Sequence, residues 1–428
     1  MDLKNKKVLL MGLGILGGGV ATARFLVEKG AELTVTDMKS KEYLKPSLEK
    51  LKDFSNIKYV LGEHREEDFL NNEIIVINPD VSLKNKYVEL AKQNGKQIEN
   101  ELTFFCRFCP SKKIVAVTGT RGKTTTVNWV VHLLKQQFPN TILVGNSPEN
   151  TFLGMLGECN KDSFVVLEVP SYHLELENDI FSPHVAVITN IYQDHLNRHS
   201  TMEEYAKTKS NIFRNQKEDD FLILNKDNEW TNFLLDLKPK SQVLLFSPNE
   251  NSPNLAASVL VAQTMGIDDQ KIEKAIPTLP QIKWRQEKVF ENEKMAIYND
   301  TAATSPEATI TALNRFGNEK HKIFICGGTD RELDFQNFGE IIRQKLQPEE
   351  LILLSGSATE KMKAQIGSAN YKEFDTLKEC LEKALQNAEK QNGKTYIVFS
   401  PGAKSFEKFK NEFDRGEQFN LLIKNLHS

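Results

Sequence analysis

The chain has 428 residues, 39% of them apolar and 25 of them Phe, enough for roughly two to four domains with sizeable cores. A net charge of −3 with 26% charged residues offers neither a basic field for nucleic acid nor an acidic tail. No run approaches the ~20 apolar residues that would span a membrane. The opening MDLKNKKVLLMG has too short an apolar run, and no small-residue cleavage site, for a signal peptide. A cytoplasmic protein with no nucleic-acid or membrane partner is expected.

The first region, residues 1–100, reads as a small α/β domain. Lys7 to Met11 is a buried-type strand, followed by Gly12-Leu-Gly14-Ile-Leu-Gly17 and a helix through Val27. A second strand, Leu33 to Thr36, ends in Asp37, placed to bind a ribose or a base. Taken alone this fingerprint suggests a nicotinamide-dependent oxidoreductase. A different nucleotide ligand or a structural turn are the alternatives, and about 100 residues leave no room for a catalytic partner to a full dinucleotide fold. Strand-like runs follow at Ile57–Val60 and Ile74–Ile77, and a helical stretch at Lys86–Asn94.

The second region, 101–281, opens with Cys106-x-x-Cys109, a single pair with no second pair or His cluster at zinc spacing. It and the scattered Cys159, Cys326 and Cys380 read as packing or surface thiols. Ile114 to Thr126, IVAVTGTRGKTTT, is strand, Gly-rich turn, Lys-Thr and then a helix. That context makes a phosphate loop credible, in the short G-x-x-G-K-T form because Val117 stands where the longer pattern has glycine. Gly119 and Gly122 let backbone N–H groups crowd onto phosphate oxygens. Lys123 would meet the β/γ-phosphates and Thr124 would offer its hydroxyl to Mg²⁺. ATP or GTP is the expected ligand; a Gly-rich turn without one is the alternative. The strand Phe164–Val169 carries Glu168, Val185–Thr189 leads into Asn190 to His195, and Phe221–Leu224 leads into Asn225 to Asp227. In a mostly parallel sheet, Glu168, Asp194 and His195 share the carboxyl edge with Lys123 and Thr124, as a Mg²⁺ site requires. Met202 to Phe213 and Leu255 to Met265 look helical, and Pro277 and Pro280 suggest a linker.

The third region, 282–428, is again α/β. Its strands Met295–Tyr298, Lys322–Cys326, Leu351–Leu354 and Tyr396–Ser400 all end in polar residues.

GTRGKTTT, Glu168 followed by PSYHLE, NIYQDHLNRH, YAKTK, Asn251-x-x-Asn254, Trp284-Arg285, NDTAATSPEAT, GGTDRELDF and SPGAKSF…DRGEQF stand in the order and spacing of the Mur ligases. The whole chain resembles that family. The resemblance implies three domains: a small N-terminal Rossmann-like domain for a UDP substrate, a central P-loop ATPase-like parallel-sheet domain, and a C-terminal Rossmann-like ligase domain for an amino acid. It implies ATP- and Mg²⁺-dependent addition of glutamate to UDP-N-acetylmuramoyl-L-alanine through an acyl phosphate, in peptidoglycan precursor synthesis; separately, a monomer is expected. Residue by residue, it makes Lys123, His195 and Lys209 the catalytic set. Gly119, Thr120, Arg121, Gly122, Lys123, Thr124, Thr125, Asn254, Arg285 and Asp300 would hold the nucleotide. Thr124, Glu168, His195 and Lys209 would serve the metal, Lys209 matching the lysine that the family carbamylates. Ile15, Leu16 and Asp37 would face the UDP group and Asn146 the sugar, while Thr304, Arg331 and Ser405 would hold the acceptor.

Several positions depart from the family pattern. Arg121 replaces Asn, Pro170 replaces Ser, and Glu250 stands where His precedes Asn251. Thr301-Ala302 stands for Ser-Lys, which removes a lysine near the acceptor carboxylates. Arg331 replaces Lys, with a different reach to a carboxylate. Glu412 falls near a commonly aromatic position, and Asn78-Pro79-Asp80 stands for Ser-Pro-Gly. Other readings are a folylpolyglutamate-type ligase with another acceptor, the oxidoreductase, and a nucleotide-binding protein without ligase activity.

Overall fold

A computed structural model describes residues 1–145, 147–194, 198–247, 252–330, 332–367 and 371–425. Three sheets account for the fold. The first has β1 (Lys7–Met11), β2 (Glu32–Asp37), β3 (Lys58–Leu61), β4 (Ile74–Ile77) and β5 (Gln97–Glu99), in the order β3-β2-β1-β4-β5. The second has β6 (Lys113–Thr118), β7 (Thr141–Val144), β8 (Phe164–Glu168), β9 (Val185–Ile188), β10 (Phe221–Asn225) and β11 (Gln242–Phe246), in the order β11-β10-β9-β6-β8-β7. Every pairing in both sheets is parallel. Such strands are covered on both faces, which explains why β4 (IIVI) and β9 (VAVI) are apolar throughout and wholly buried.

In each of these sheets the order reverses at the strand that feeds a Gly-rich turn. β1 lies between β2 and β4, and β6 between β9 and β8. The crevice outside the carboxyl ends at such a switch point is where open α/β sheets bind ligands.

The two sheets belong to one compact unit, Met1–Pro280. The expected break at 100/101 is a change of sheet inside that unit, marked by a helix, Glu101–Phe108, that starts with an Asn100/Thr103 capping box. Its Phe104 packs 6.0 Å from Phe25 of the first sheet's helix Gly18–Glu28, and its Phe105 packs 5.9 Å from Phe152 of the second region. The Glu101 carboxyl reaches back to the Thr22 hydroxyl at 2.9 Å. One apolar cluster runs from Leu3 through Phe104, Phe152 and Leu234.

The second unit is Gln281–Ser428, beginning one residue after Pro280. Its sheet contains β12 (Glu287–Glu291), β13 (Met295–Asn299), β14 (Lys322–Gly327), β15 (Leu351–Leu354), β16 (Lys372–Phe374) and β17 (Thr395–Phe399), in the order β12-β13-β17-β14-β15-β16. Only β12 is antiparallel, to β13; β13 to β17 pair in parallel. Separate apolar clusters cover the two faces, one around Phe324 and Phe338 and one around Ile325 and Phe399.

Candidate active site

β6 delivers the chain into the loop Gly119–Gly122, and the helix Lys123–Leu134 starts at once. Two glycines are required there by geometry. Gly119 has φ +146°, and a Cβ on it would lie 1.9 Å from Thr189 Oγ1; Gly122 has φ +80°, and its Cβ would lie 2.1 Å from Asn254 Oδ1. The loop is wired to the end of β9. The N–H groups of Thr120 and Arg121 donate to the Asn190 carbonyl and Oδ1, each at 2.9 Å. The Arg121 carbonyl accepts from Thr189 Oγ1 at 2.6 Å and Asn190 Nδ2 at 3.1 Å. The expected residues Thr120 and Arg121 are thus held by their backbone. The first-turn amides of the following helix, at Lys123, Thr124 and Thr125, form the end that suits an anion.

Four expected side chains, Lys123, Thr124, Glu168 and Lys209, converge on this loop. Lys123 Nζ donates to the carbonyls of Gly119 (2.9 Å) and Thr120 (3.1 Å). Thr124 Oγ1 donates to Glu168 Oε1 at 3.1 Å, because β8 runs beside β6 with Glu168 opposite Val117. Lys209, on the helix Met202–Ser210, is 1% exposed, and its Nζ donates to the Gly119 carbonyl at 3.0 Å. Burial, and next the charge of Lys123, holds the Lys209 ammonium well below the usual lysine range, with Asp194 opposing. Asn254 opens the helix Pro253–Thr264, capped by Ser252, and lies over Gly122. His195 and Asn146 lie outside the described residues, as do Glu250 and Asn251.

The loop after β1 is organised around Asp37. That carboxylate is 7% exposed; its Oδ2 accepts from the N–H groups of Leu13 (2.8 Å) and Gly14 (3.1 Å), and its Oδ1 accepts from Lys39 N–H at 2.9 Å. Asp37 therefore shapes the Gly-rich turn. Leu16 is exposed and Ile15 packs partly against the core. A Cβ on Gly17 (φ +100°) would meet the Pro148 carbonyl at 3.4 Å, so this turn abuts the loop after β7.

Sequence reading missed a clamp between these two sheets. Arg198 donates to the carbonyls of Pro79 (2.6 Å) and Val81 (3.1 Å), and its Nη2 meets Glu175 Oε2 at 2.9 Å. The motif NIYQDHLNRH contains Arg198, but only the fold brings it to residues 79–81.

In the unit Gln281–Ser428, Arg285 sits between two residues of positive φ, Trp284 (+63°) and Gln286 (+46°), and is itself exposed. Asp300, at the end of β13, is 6% exposed; it accepts from Gln286 N–H at 3.0 Å and Ser400 Oγ at 2.7 Å. Burial pushes its carboxyl up to about 7 against those hydrogen bonds. The expected acceptor residues Thr304 and Ser405 sit on adjoining loops: Lys404 Nζ donates to Thr304 Oγ1 at 3.2 Å. Beneath them the fully buried Arg415 donates to Thr301 and to the carbonyls of Ala403 and Lys404. Burial lowers its guanidinium to about 9. Arg331 lies outside the described residues.

Comparison with known proteins agrees with this architecture. Residues 6–100 match the Mur ligase MurD-like N-terminal domain, and residues 117–280 match the Mur ligase middle domain. The chain is 34% identical to a UDP-N-acetylmuramoylalanine--D-glutamate ligase of Roseiflexus sp. (strain RS-1), covering 99% of each. It is 35% identical to the protein of that name from Borreliella burgdorferi (strain ZS7), again over 99% of each. The solved UDP-N-acetylmuramate-alanine ligase MurC of Thermotoga maritima shares the fold, with a TM-score of 0.59 at 18% identity over 98% of this chain and 99% of that one. Fold and relatives together define an ATP-dependent ligase that forms carbon–nitrogen bonds. The chain belongs to the Mur ligase family, in its MurD-like group.

Proposed function

We propose that this chain joins D-glutamate to UDP-N-acetylmuramoyl-L-alanine, with ATP cleaved to ADP and phosphate, in the cytoplasm and as a monomer. The observation that carries the reading is the convergence of Lys123, Thr124, Glu168 and Lys209 on the loop Gly119–Gly122, in a chain whose relatives bear that name over 99% of their length.

Phosphoryl transfer needs positioning and charge neutralisation more than covalent help from side chains. In the first half-reaction the substrate carboxylate attacks the γ-phosphorus and ADP leaves, giving an acyl phosphate. Lys123 exchanges its two loop carbonyls for phosphate oxygens, and the glycines let the backbone approach them. In the second, the glutamate amine attacks the acyl carbon, forming the amide and releasing phosphate. Asn254, Arg285 and Asp300 are assigned to the nucleotide, Ile15, Leu16 and Asn146 to the UDP substrate, and Thr304, Arg331 and Ser405 to the acceptor. Asp37 acts on the UDP substrate through the turn that it holds.

The oxygen pair Thr124 Oγ1 and Glu168 Oε1, 3.1 Å apart at a strand end, suits Mg²⁺, a hard cation that takes oxygen ligands and keeps several waters. Bound there, Mg²⁺ would neutralise charge on the β- and γ-phosphates. His195 is proposed as a further contributor. Burial favours the neutral amine of Lys209 over its ammonium, and the neutral amine is the form that adds carbon dioxide. As a carbamate it would offer oxygen where an ammonium cannot.

The test is phosphate release from UDP-N-acetylmuramoyl-L-alanine, ATP and Mg²⁺ across D-glutamate, L-glutamate and other amino acids. D-glutamate is expected to be the preferred acceptor. Absence of turnover with every amino acid would sink the proposal.

A further inference from the structure

Three strand-end loops meet within the unit Gln281–Ser428. The loop after β13 carries Thr304, that after β14 carries Thr329, and that after β17 carries Lys404 and Ser405. They are stitched by an isolated bridge between Thr329 and Lys404, by Gly402 N–H on the Ala303 carbonyl (2.9 Å), and by Glu407 N–H on Thr329 Oγ1 (2.9 Å). Lys404 is half-buried, and its ammonium spans two of these loops to reach Thr304 Oγ1 at 3.2 Å.

No ion-pair partner for the charge on Lys404 is found among the described residues. The nearby acids are engaged elsewhere: Asp330 with Lys361, and Glu407 with the hydroxyl and N–H of Ser357. An ammonium has three donors, and Thr304 takes one. Beside it the Ser405 hydroxyl is buried (2% exposed) without a hydrogen-bond partner, a costly state for a polar group. The Arg415 guanidinium under the same loop adds a second positive charge. Cation and orphan hydroxyl on one junction describe half of an anion site.

The geometry points to Lys404 as the residue that takes a carboxylate of the acceptor amino acid, with the hydroxyls of Thr304 and Ser405 beside it. The inference rests on the ligase reading above and deepens it. It also answers the departure at Ala302, where the family pattern has lysine: here a lysine enters the same group of loops from the end of β17 instead of the end of β13.

The test is steady-state kinetics of the full-length enzyme with D-glutamate varied at saturating ATP and UDP-N-acetylmuramoyl-L-alanine. Lys404→Ala should raise the KM for D-glutamate by about 10–100-fold, the size of a lost charge-assisted hydrogen bond. The KM for ATP and the melting temperature should stay at wild-type values, and Lys404→Arg should recover most of the loss. The variant should also stop discriminating D-glutamate from one of its two mono-amides, D-glutamine or D-isoglutamine. A KM for D-glutamate within about twofold of wild type overturns the inference. So does an equal rise in the KM for ATP, or a lowered melting temperature, either of which makes Lys404 structural. Wild type measured in parallel separates the two failures. An inactive wild type refutes the ligase reading, whereas an active wild type with an indifferent variant refutes Lys404 alone.

Discussion

Lys123 and Lys209 place their ammonium nitrogens on the same acceptor, the Gly119 carbonyl, at 2.9 and 3.0 Å. Lys209 is buried and Lys123 is half-buried, so the buried partner loses the competition for protonation. Lys123→Ala should therefore do two things. Turnover should fall by at least about 10³-fold, as expected when a charge aimed at the transferring phosphoryl group is removed. The Lys209 ammonium should also titrate closer to the ordinary lysine range, which isotope-edited NMR of the lysine side chains can follow. An unchanged rate would mean that the measured ATP turnover belongs to a contaminant.

The depressed titration of Lys209 has a stability consequence with a definite sign. Its ordinary value is 10.5 and its folded value lies well below that. Folding therefore expels a proton at intermediate pH, and stability rises with pH from the folded value up to 10.5. In buffer free of carbon dioxide, denaturation of the wild type should show this slope, and Lys209→Met should flatten it while reducing turnover at least about 100-fold. Equal slopes in the two proteins would refute the burial argument.

Asp300 behaves in the opposite sense. Its carboxyl rises from 3.8 to about 7 because burial opposes the charged form. At low pH it is protonated whether folded or unfolded, and the penalty grows as pH climbs through that window. At about 1.4 kcal/mol per pH unit, the cost above pH 7 reaches roughly 4 kcal/mol. Asp300→Asn should lessen the fall in melting temperature between about pH 4 and pH 7. Melting curves of both proteins across that range decide the matter.

Glu168→Gln keeps the shape of the side chain but removes the negative charge beside Thr124. The Mg²⁺ concentration for half-maximal rate should rise at least about tenfold, because a neutral amide oxygen is a weaker ligand for a hard cation. The KM for D-glutamate should stay put. A magnesium titration at fixed substrates reads both, and an unchanged requirement would remove Glu168 from the metal site.

Arg198→Ala should strand the Glu175 carboxylate and free the carbonyls of Pro79 and Val81. Both partners of that ion pair are mostly buried, at 18% and 13% exposed. Breaking such a pair from one side costs about 3–5 kcal/mol. Hydrogen exchange should quicken around residues 78–85, while the phosphate-loop helix stays protected. Unchanged exchange there would mean that other contacts hold the loop.

The readable part of the molecule was the part with local rules. Gly12, Gly14 and Gly17 after β1, and Gly119 and Gly122 after β6, announced both turns because only glycine fits their positive φ. The buried parallel strands β4, β9 and β15 stood out as apolar runs. The edge strand β12, EKVFE, was missed: it is half-exposed and mixes charged with apolar residues, so nothing local separates it from a loop. β16 covers only Lys372–Phe374. Asp37 was legible as an acid in the right place, but not as one whose oxygens are taken by Leu13, Gly14 and Lys39. Asn190 under the phosphate loop and Lys404 against Thr304 depend on partners 69 and 100 residues away. Such partners are set by tertiary folding alone.

The apolar cluster shared by the first two sheets also bears on how the protein is made. As the chain leaves the ribosome, β1 to β5 and the helix Gly18–Glu28 emerge with Phe25 in search of cover, and Phe104 and Phe105 follow directly. Phe152, which closes over Phe105, arrives only after the phosphate loop has been synthesised. Domains fold as units from the N-terminal end, and exposed apolar surface invites association. Between residues 105 and 152 of synthesis the Phe105 ring therefore waits for its cover, and the shared cluster is complete only once Leu234 has been made.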